Sequence, residues 1–270
     1  MTPFYFGNSR LPIYGVYHSA NQVKRKNQGI VICYPIGHEY NRVHRLFCQS
    51  AIYWSELGFD VIRFDYYGTG DSSGSFENAN YRTWCENVDD AITELKAISG
   101  VKRISLVGCR LGANIALNVY HHKYQQKNIN QLILWDPIFN SDNYLLQLER
   151  LNVEMLGDKN RFLKIKKQET ALELLGFVYS ELLRQELNKQ LVKSSNVFEG
   201  ISCLYSADYL TDTKKDTFKA KTNRTLDNML KKCFSQESFD FDANWGKLES
   251  VGTAIKSVEF STKIESVLNQ

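Results

Sequence analysis

Four short, almost wholly apolar runs restrict this 270-residue chain more than any other feature. They are Gly29–Tyr34 (GIVICY), Asp60–Asp65 (DVIRFD), Ile104–Gly108 (ISLVG) and Gln131–Asp136 (QLILWD). Such runs read as strands buried on both faces, because a strand with one wet face would alternate apolar and polar residues. Between them, Val43, Leu46, Phe47, Ala51, Trp54 and Leu57 recur with helical spacing, and so do Trp84, Val88, Ala91, Ile92, Leu95 and Ile98. Gly58 and Gly100 supply the helix stops, and a third helix is expected over Leu111–Tyr120. Strand–helix repeats of this length call for right-handed crossovers and a mostly parallel sheet, the α/β class. Phe4–Phe6 and Ile13–Tyr17, around Gly7-Asn8, predict an antiparallel hairpin at the front.

After Pro137 the rhythm changes. From Ser141 to Ser195 the pattern is helical only, with Leu175, Val178, Tyr179, Leu182, Leu187 and Leu191 as one apolar stripe. A sheet that pauses for helices and then resumes predicts a cap insertion over 141–195, set on a core of 1–140 and 196–270. Gly200–Tyr205 is the resumed strand; a last strand is expected near Ser238–Asp242 and a terminal helix near Phe260–Leu268. Thr211–Lys232, with seven Lys/Arg against three Asp/Glu, reads as a solvated helix and loop.

Composition removes several function classes. Hydrophobic residues make up 43% and charged residues 23%, values of an ordinary globular chain and not of a disordered, collagenous or coiled-coil one. A net charge of +3 is too balanced to point to nucleic acid. Cysteines 33, 48, 85, 109, 203 and 233 contain no CxxC pair and read as buried thiols of a reducing compartment, not as a disulfide frame or zinc site. The first residues lack the basic and apolar blocks of a signal peptide, and no apolar run approaches the ~20 residues of a membrane helix. The expectation is a cytoplasmic protein with no membrane insertion, no metal and no cofactor.

The stretch that bears on chemistry is Gly108-Cys109-Arg110-Leu111-Gly112, between a buried strand and a helix. Its glycine spacing matches the strand–turn–helix elbow G-x-S-x-G, with Arg110 in the place of the serine. Together with Pro35-Ile36-Gly37-His38-Glu39-Tyr40, Arg42, His44 and Arg45, the run Arg63–Ser72 (RFDYYGTGDS), Leu134-Trp135-Asp136-Pro137 and Trp245, it resembles the α/β-hydrolase superfamily. The nearest branch is similar to the serine-aminopeptidase-like proteins, and within it to the exosortase A system-associated hydrolases of the type 2 group. The likeness covers residues 4–140 closely and the rest loosely. It implies an α/β-hydrolase fold and a triad of Ser, Asp/Glu and His in chain order. Asp208, after the resumed strand, falls where the acid is expected, but no histidine follows His122. A serine hydrolase needs both nucleophile and base, so ordinary hydrolysis is not expected.

Arg110 at a helix start suits an anion, with Glu39 and Asp136 as acidic neighbours. Alternatively it fills the vacated space and pairs with Asp136, Glu39 or Asp208. His38 is either a proton carrier or a residue that shapes its turn. Gly37, Tyr40 and Leu111 complete the substrate-contact set with Asp136. Cys109 falls one residue before the elbow tip and reads as a buried thiol. Asp71, Ser72 and Ser73 read as turn formers, and His121-His122 as a cationic helix end. Three functions follow from this reading. The first is a divergent protein of a bacterial biosynthetic pathway, such as polysaccharide export, that binds or transforms a free or carrier-bound anionic or acyl-type metabolite. The second is an inactive scaffold that binds a protein partner. The third is an ester or thioester hydrolase with a displaced nucleophile. An open, charged pocket over Arg110 favours the first, and a pocket filled by cap side chains favours the second.

Overall fold

In a computed structural model of the chain, residues 1–157, 173–190, 201–209 and 235–270 are described. The apolar runs form the strands predicted for them. β1 (Thr2–Phe6) and β2 (Ile13–His18) make the front hairpin; β3 (Gln28–Cys33), β4 (Asp60–Phe64), β5 (Arg103–Cys109) and β6 (Ile129–Trp135) form the centre; β9 (Ile201–Tyr205) and β10 (Ser235–Ser238) follow. The sheet order is β1-β2-β4-β3-β5-β6-β9-β10. β1 and β2 pair antiparallel, as do β2 and β4, and every later pairing of this sheet is parallel.

Helices α1 (Glu39–Glu56) and α6 (Glu259–Leu268) pack together, as do α2 (Tyr81–Ser99) and α3 (Leu111–Lys127). Trp54 of α1, Trp84 of α2 and Trp135 of β6 are fully buried, each burial worth about 1.5–3 kcal/mol or more at aromatic size. Asn80 caps α2 through the Thr83 amide, and Gly100 ends it in the left-handed conformation. Among the described residues, no helix is long and apolar enough to cross a membrane. Cys33, Cys109 and Cys203 are buried and Cys48 and Cys85 half-buried, and none of these five forms a disulfide.

Several expectations need correction. The stretch from Ser141 is not helical throughout. α4 (Ser141–Gly157) and α5 (Glu181–Gln190) are separated in part by a two-stranded hairpin, β7 (Glu173–Leu174) and β8 (Phe177–Val178). Leu175 and Gly176 both have positive φ, +54° and +85°, the two-residue turn that suits the twist of a hairpin. The apolar stripe therefore breaks: Leu175 lies in the turn, Leu182 is exposed, and Leu183 with Leu187 carries the packing of α5. His121 and His122 do not end α3, which runs on to Lys127; burial and the neighbouring imidazole push His121 below the usual histidine range. β10 lies at Ser235–Ser238, earlier than Ser238–Asp242. Leu191, Cys233 and the polar stretch Thr211–Lys232 lie outside the described residues.

Candidate functional site

The C-terminal ends of the parallel strands converge on Arg110, the place where α/β sheets put ligands. Arg110 follows β5 directly and has φ +52°. Its amide donates to the Trp135 carbonyl at 2.9 Å, and its own carbonyl accepts from Ala113 at 3.0 Å to begin α3. The flanking glycines make this turn possible. A Cβ on Gly112 would sit 2.0 Å from the Tyr34 carbonyl oxygen, and one on Gly108 would sit 2.6 Å from the Ala113 Cα. Asp136, after β6, also has positive φ, +45°. Two non-glycine residues thus hold left-handed backbone at the ends of adjacent strands, at about 1–2 kcal/mol each. Such strain gathers at functional positions.

The guanidinium makes one short contact and two long ones. Nε donates to Glu39 Oε1 at 2.9 Å, Nη1 to the Asp136 carbonyl at 3.5 Å and Nη2 to Gln147 Oε1 at 3.4 Å. Arg110 is 4% exposed and Glu39 1%. Three aromatic rings surround the cation, with centroids at 5.1 Å (Trp245), 5.6 Å (Tyr144) and 5.8 Å (Tyr209). Burial works against the charge, but Glu39, aided by Tyr209 and Tyr144, outweighs it, so the guanidinium is held protonated more firmly than usual. Of the three carboxylates considered for Arg110, Glu39 is the one in direct ion-pair contact; Asp136 offers its backbone carbonyl.

Asp136 is fully buried, and its carboxylate takes another set of donors. Oδ1 accepts from the Ser206 amide at 2.9 Å; Oδ2 accepts from Ser206 Oγ at 2.5 Å and from Trp245 Nε1 at 2.8 Å. Burial raises its carboxyl to about 6, against the pull of Ser206, Trp245 and Arg110. Asp208, the residue expected in the acid position, accepts from the Ala243 and Asn244 amides at 2.8 and 2.7 Å. Arg42 holds the same loop from the other side through the carbonyls of Ala243, Asn244 and Thr253, and stacks on Trp245 at 5.0 Å. Asp208 and Arg42 therefore fix the loop that brings Trp245 to Asp136.

Glu39 is the first residue of α1, and His38 precedes it. His38 is 6% exposed and its Nε2 has no hydrogen-bond partner; burial, with Arg110 and Arg42 against Glu39, lowers its basicity. Glu39 Oε2 likewise lacks a partner. Tyr40 turns away and donates to Asp65 Oδ1 at 2.7 Å. Gly37, with φ +67°, lets the Tyr179 hydroxyl approach to 2.8 Å from where a Cβ would be. Leu111 is buried. Cys109 is buried as expected, and burial pushes its thiol far above the reactive range. Asp71 and Ser72 shape their turn through Asp65, to which the Asp71 amide (3.0 Å) and Ser72 Oγ (2.5 Å) donate. The sequence reading missed Arg42, Tyr144, Gln147, Ser206 and Tyr209 as site residues, and gave Trp245 no role. Tyr144 and Gln147 are legible only as part of a helical phase, and Ser206 and Tyr209 only by their place after a strand.

Residues 26–193 match the family described as serine aminopeptidase, S33. The chain belongs to this family. No curated protein matches it in sequence. Among solved structures it is similar to Est1E of Butyrivibrio proteoclasticus, solved with ferulic acid bound, at 18% identity and a TM-score of 0.59 over 99% of this chain and 100% of that one. A soluble variant of Saccharomyces cerevisiae monoglyceride lipase gives 14% identity and 0.59, over 99% and 94%. XC6422 of Xanthomonas campestris, an α/β serine hydrolase without a lid, gives 12% and 0.56, over 99% and 93%. These likenesses show the fold, an α/β-hydrolase fold with a mostly parallel sheet and an N-terminal antiparallel hairpin.

Proposed function

We propose that this member of the family is not a hydrolase and acts by binding, with a protein partner as its target. One observation carries the reading. The elbow tip is an arginine locked to Glu39 at 2.9 Å, 4% exposed, with Tyr144 and Gln147 of α4 and the indole of Trp245 against it. Arginine stays protonated and cannot attack a carbonyl, and Trp245, not a histidine, donates to Asp136. Tyr144 and Gln147 of α4 lie directly against the guanidinium, which favours the scaffold reading over the metabolite one. The test is direct. The purified protein should neither turn over nitrophenyl esters or thioesters nor be labelled by a fluorophosphonate probe. Stoichiometric labelling at any residue overturns the proposal and revives a displaced nucleophile.

A second reading has its own support. The two terminal nitrogens of Arg110 make only long contacts, 3.5 and 3.4 Å, at the start of α3. An anionic or acyl-type metabolite, free or carrier-bound, would shorten such contacts if it displaced Gln147. A setting in a bacterial biosynthetic cluster or polysaccharide export, and in the cytoplasm, belongs to either reading and rests on the finer resemblance to the type 2 exosortase A system-associated hydrolases.

A further inference from the structure

A cavity of about 570 Å³ lies at the opposite ends of the strands from Arg110, where β3, β5, β6 and β9 begin and α6 ends. Its size is that of a small-molecule site, and its walls mix polar side chains with the apolar Val267 and Leu268. Gln28, Gln131, Ser202 and Asn269 line it together with Lys26 and Arg103. Among the described residues that line it there is no acidic side chain and no aromatic ring.

The floor is fixed by hydrogen bonds that cross three strands. Gln28 Nε2 donates to Ser105 Oγ at 2.7 Å and to Gln131 Oε1 at 3.2 Å; Ser105 Oγ donates to Gln131 Oε1 at 3.1 Å. Gln131 Nε2 then donates to the Val267 carbonyl of α6 at 3.1 Å. α6 points its negative end at the cavity. Lys26 answers it, donating to Asn269 Oδ1 at 2.6 Å. Arg103 is exposed at the mouth, with no hydrogen-bond or ion-pair partner among the described residues.

We propose that this cavity binds a small phosphorylated sugar or polyol. Amides, a serine hydroxyl and helix-end carbonyls offer donors and acceptors to hydroxyl groups, and an apolar ligand would leave them unpaired. Arg103, a planar fork of donors, and Lys26 both line the cavity and suit a phosphate. The lack of an aromatic ring leaves nothing to stack on a nucleobase, so a sugar phosphate fits better than a nucleotide. The site is independent of Arg110 and of the function proposed above.

Backbone amide shifts recorded by NMR while glucose 6-phosphate, glucose and inorganic phosphate are titrated in turn test this. Glucose 6-phosphate should saturate with Kd below about 1 mM and move the amides of Gln28, Gln131 and Asn269, with glucose and phosphate each weaker. Arg103→Gln, at an exposed position that leaves the fold intact, should weaken binding about tenfold or more, and Lys102→Gln beside it should not. Three results would overturn the proposal: no saturable shifts with glucose 6-phosphate, equal loss in Lys102→Gln (a diffuse surface charge only), or inorganic phosphate binding as tightly as the sugar phosphate.

Discussion

Replacing Arg110 by Met tests whether the elbow residue is part of the fold or a reader of ligands. The change keeps much of the side-chain volume and deletes the charge. It leaves Glu39, 1% exposed, without the cation 2.9 Å away, and its second oxygen already lacks a partner. Removing one member of a buried pair costs about 3–5 kcal/mol, mostly because the other charge stays behind. At about 2–4 °C per kcal/mol for a chain of this size, that is a drop of roughly 6–20 °C in Tm. The thioether regains a little against Tyr144, Tyr209 and Trp245. Arg110→Met/Glu39→Met should recover most of the stability, since an apolar pair of similar volume replaces a buried ion pair at little cost. Urea denaturation of wild type, both single variants and the double variant closes the cycle. The reasoning fails if Arg110→Met stays within about 1 kcal/mol of wild type, or if the double variant is as unstable as the two single losses added. An Arg110→Met protein that keeps its stability but loses its role in the cell would favour the metabolite reading.

Two further outcomes follow from Asp136. Trp245 Nε1 donates to its Oδ2 at 2.8 Å and the indole lies 5.1 Å from the Arg110 guanidinium, which is where a proton-accepting base would stand. Arg110→Ser alone should therefore stay unlabelled by a fluorophosphonate, and Arg110→Ser/Trp245→His should label, faster as pH rises through neutrality. Robust labelling of the single variant would make His38 the base, and a folded but unlabelled double variant would refute this placement of Trp245. The second outcome is a pH dependence. Folding raises the Asp136 carboxyl from 3.8 to about 6, so the folded state holds this proton more tightly than the unfolded chain. Its stabilisation is complete below the lower value and disappears as pH rises to the upper one, about 3 kcal/mol for a shift of about 2 units. His18, lowered to about 4 by burial and Arg63, slopes the other way, so the difference between wild type and Asp136→Asn is the quantity to measure. Urea midpoints from pH 4 to 7 should fall more steeply, or rise less, for wild type; parallel curves would count against a protonated buried Asp136.

The strands were readable because burial on both faces leaves an unbroken apolar run, a signal in neighbouring residues alone. Gly29–Tyr34 and Gln131–Asp136 each announce a strand without reference to the rest of the chain. The hairpin at Glu173–Val178 could not be read so, because strands of two residues are too short to show a period of two. The choice of Leu183 over Leu182 as the buried residue of α5 depends on which side of the helix meets a neighbour, and that neighbour is distant in sequence. α3 runs past His121 and His122 because residues without apolar periodicity still propagate a helix once it has started.

At the site the division is similar. The spacing Gly108-x-Arg110-x-Gly112 by itself determined that a charged residue sits on a strained turn, since only glycine fits beside Tyr34 and Ala113. It could not decide which acid answers that charge. Glu39 lies 71 residues before Arg110, whereas Asp136, only 26 residues after it, presents its carbonyl and gives its carboxylate to Ser206 and Trp245. Asp208 stands where the chain order calls for an acid, yet its oxygens bind the Ala243 and Asn244 amides. Local sequence fixes backbone conformation and burial, because both follow from a residue and its near neighbours. Ion pairing follows from which strand ends the sheet order brings together, and only the assembled sheet sets those distances.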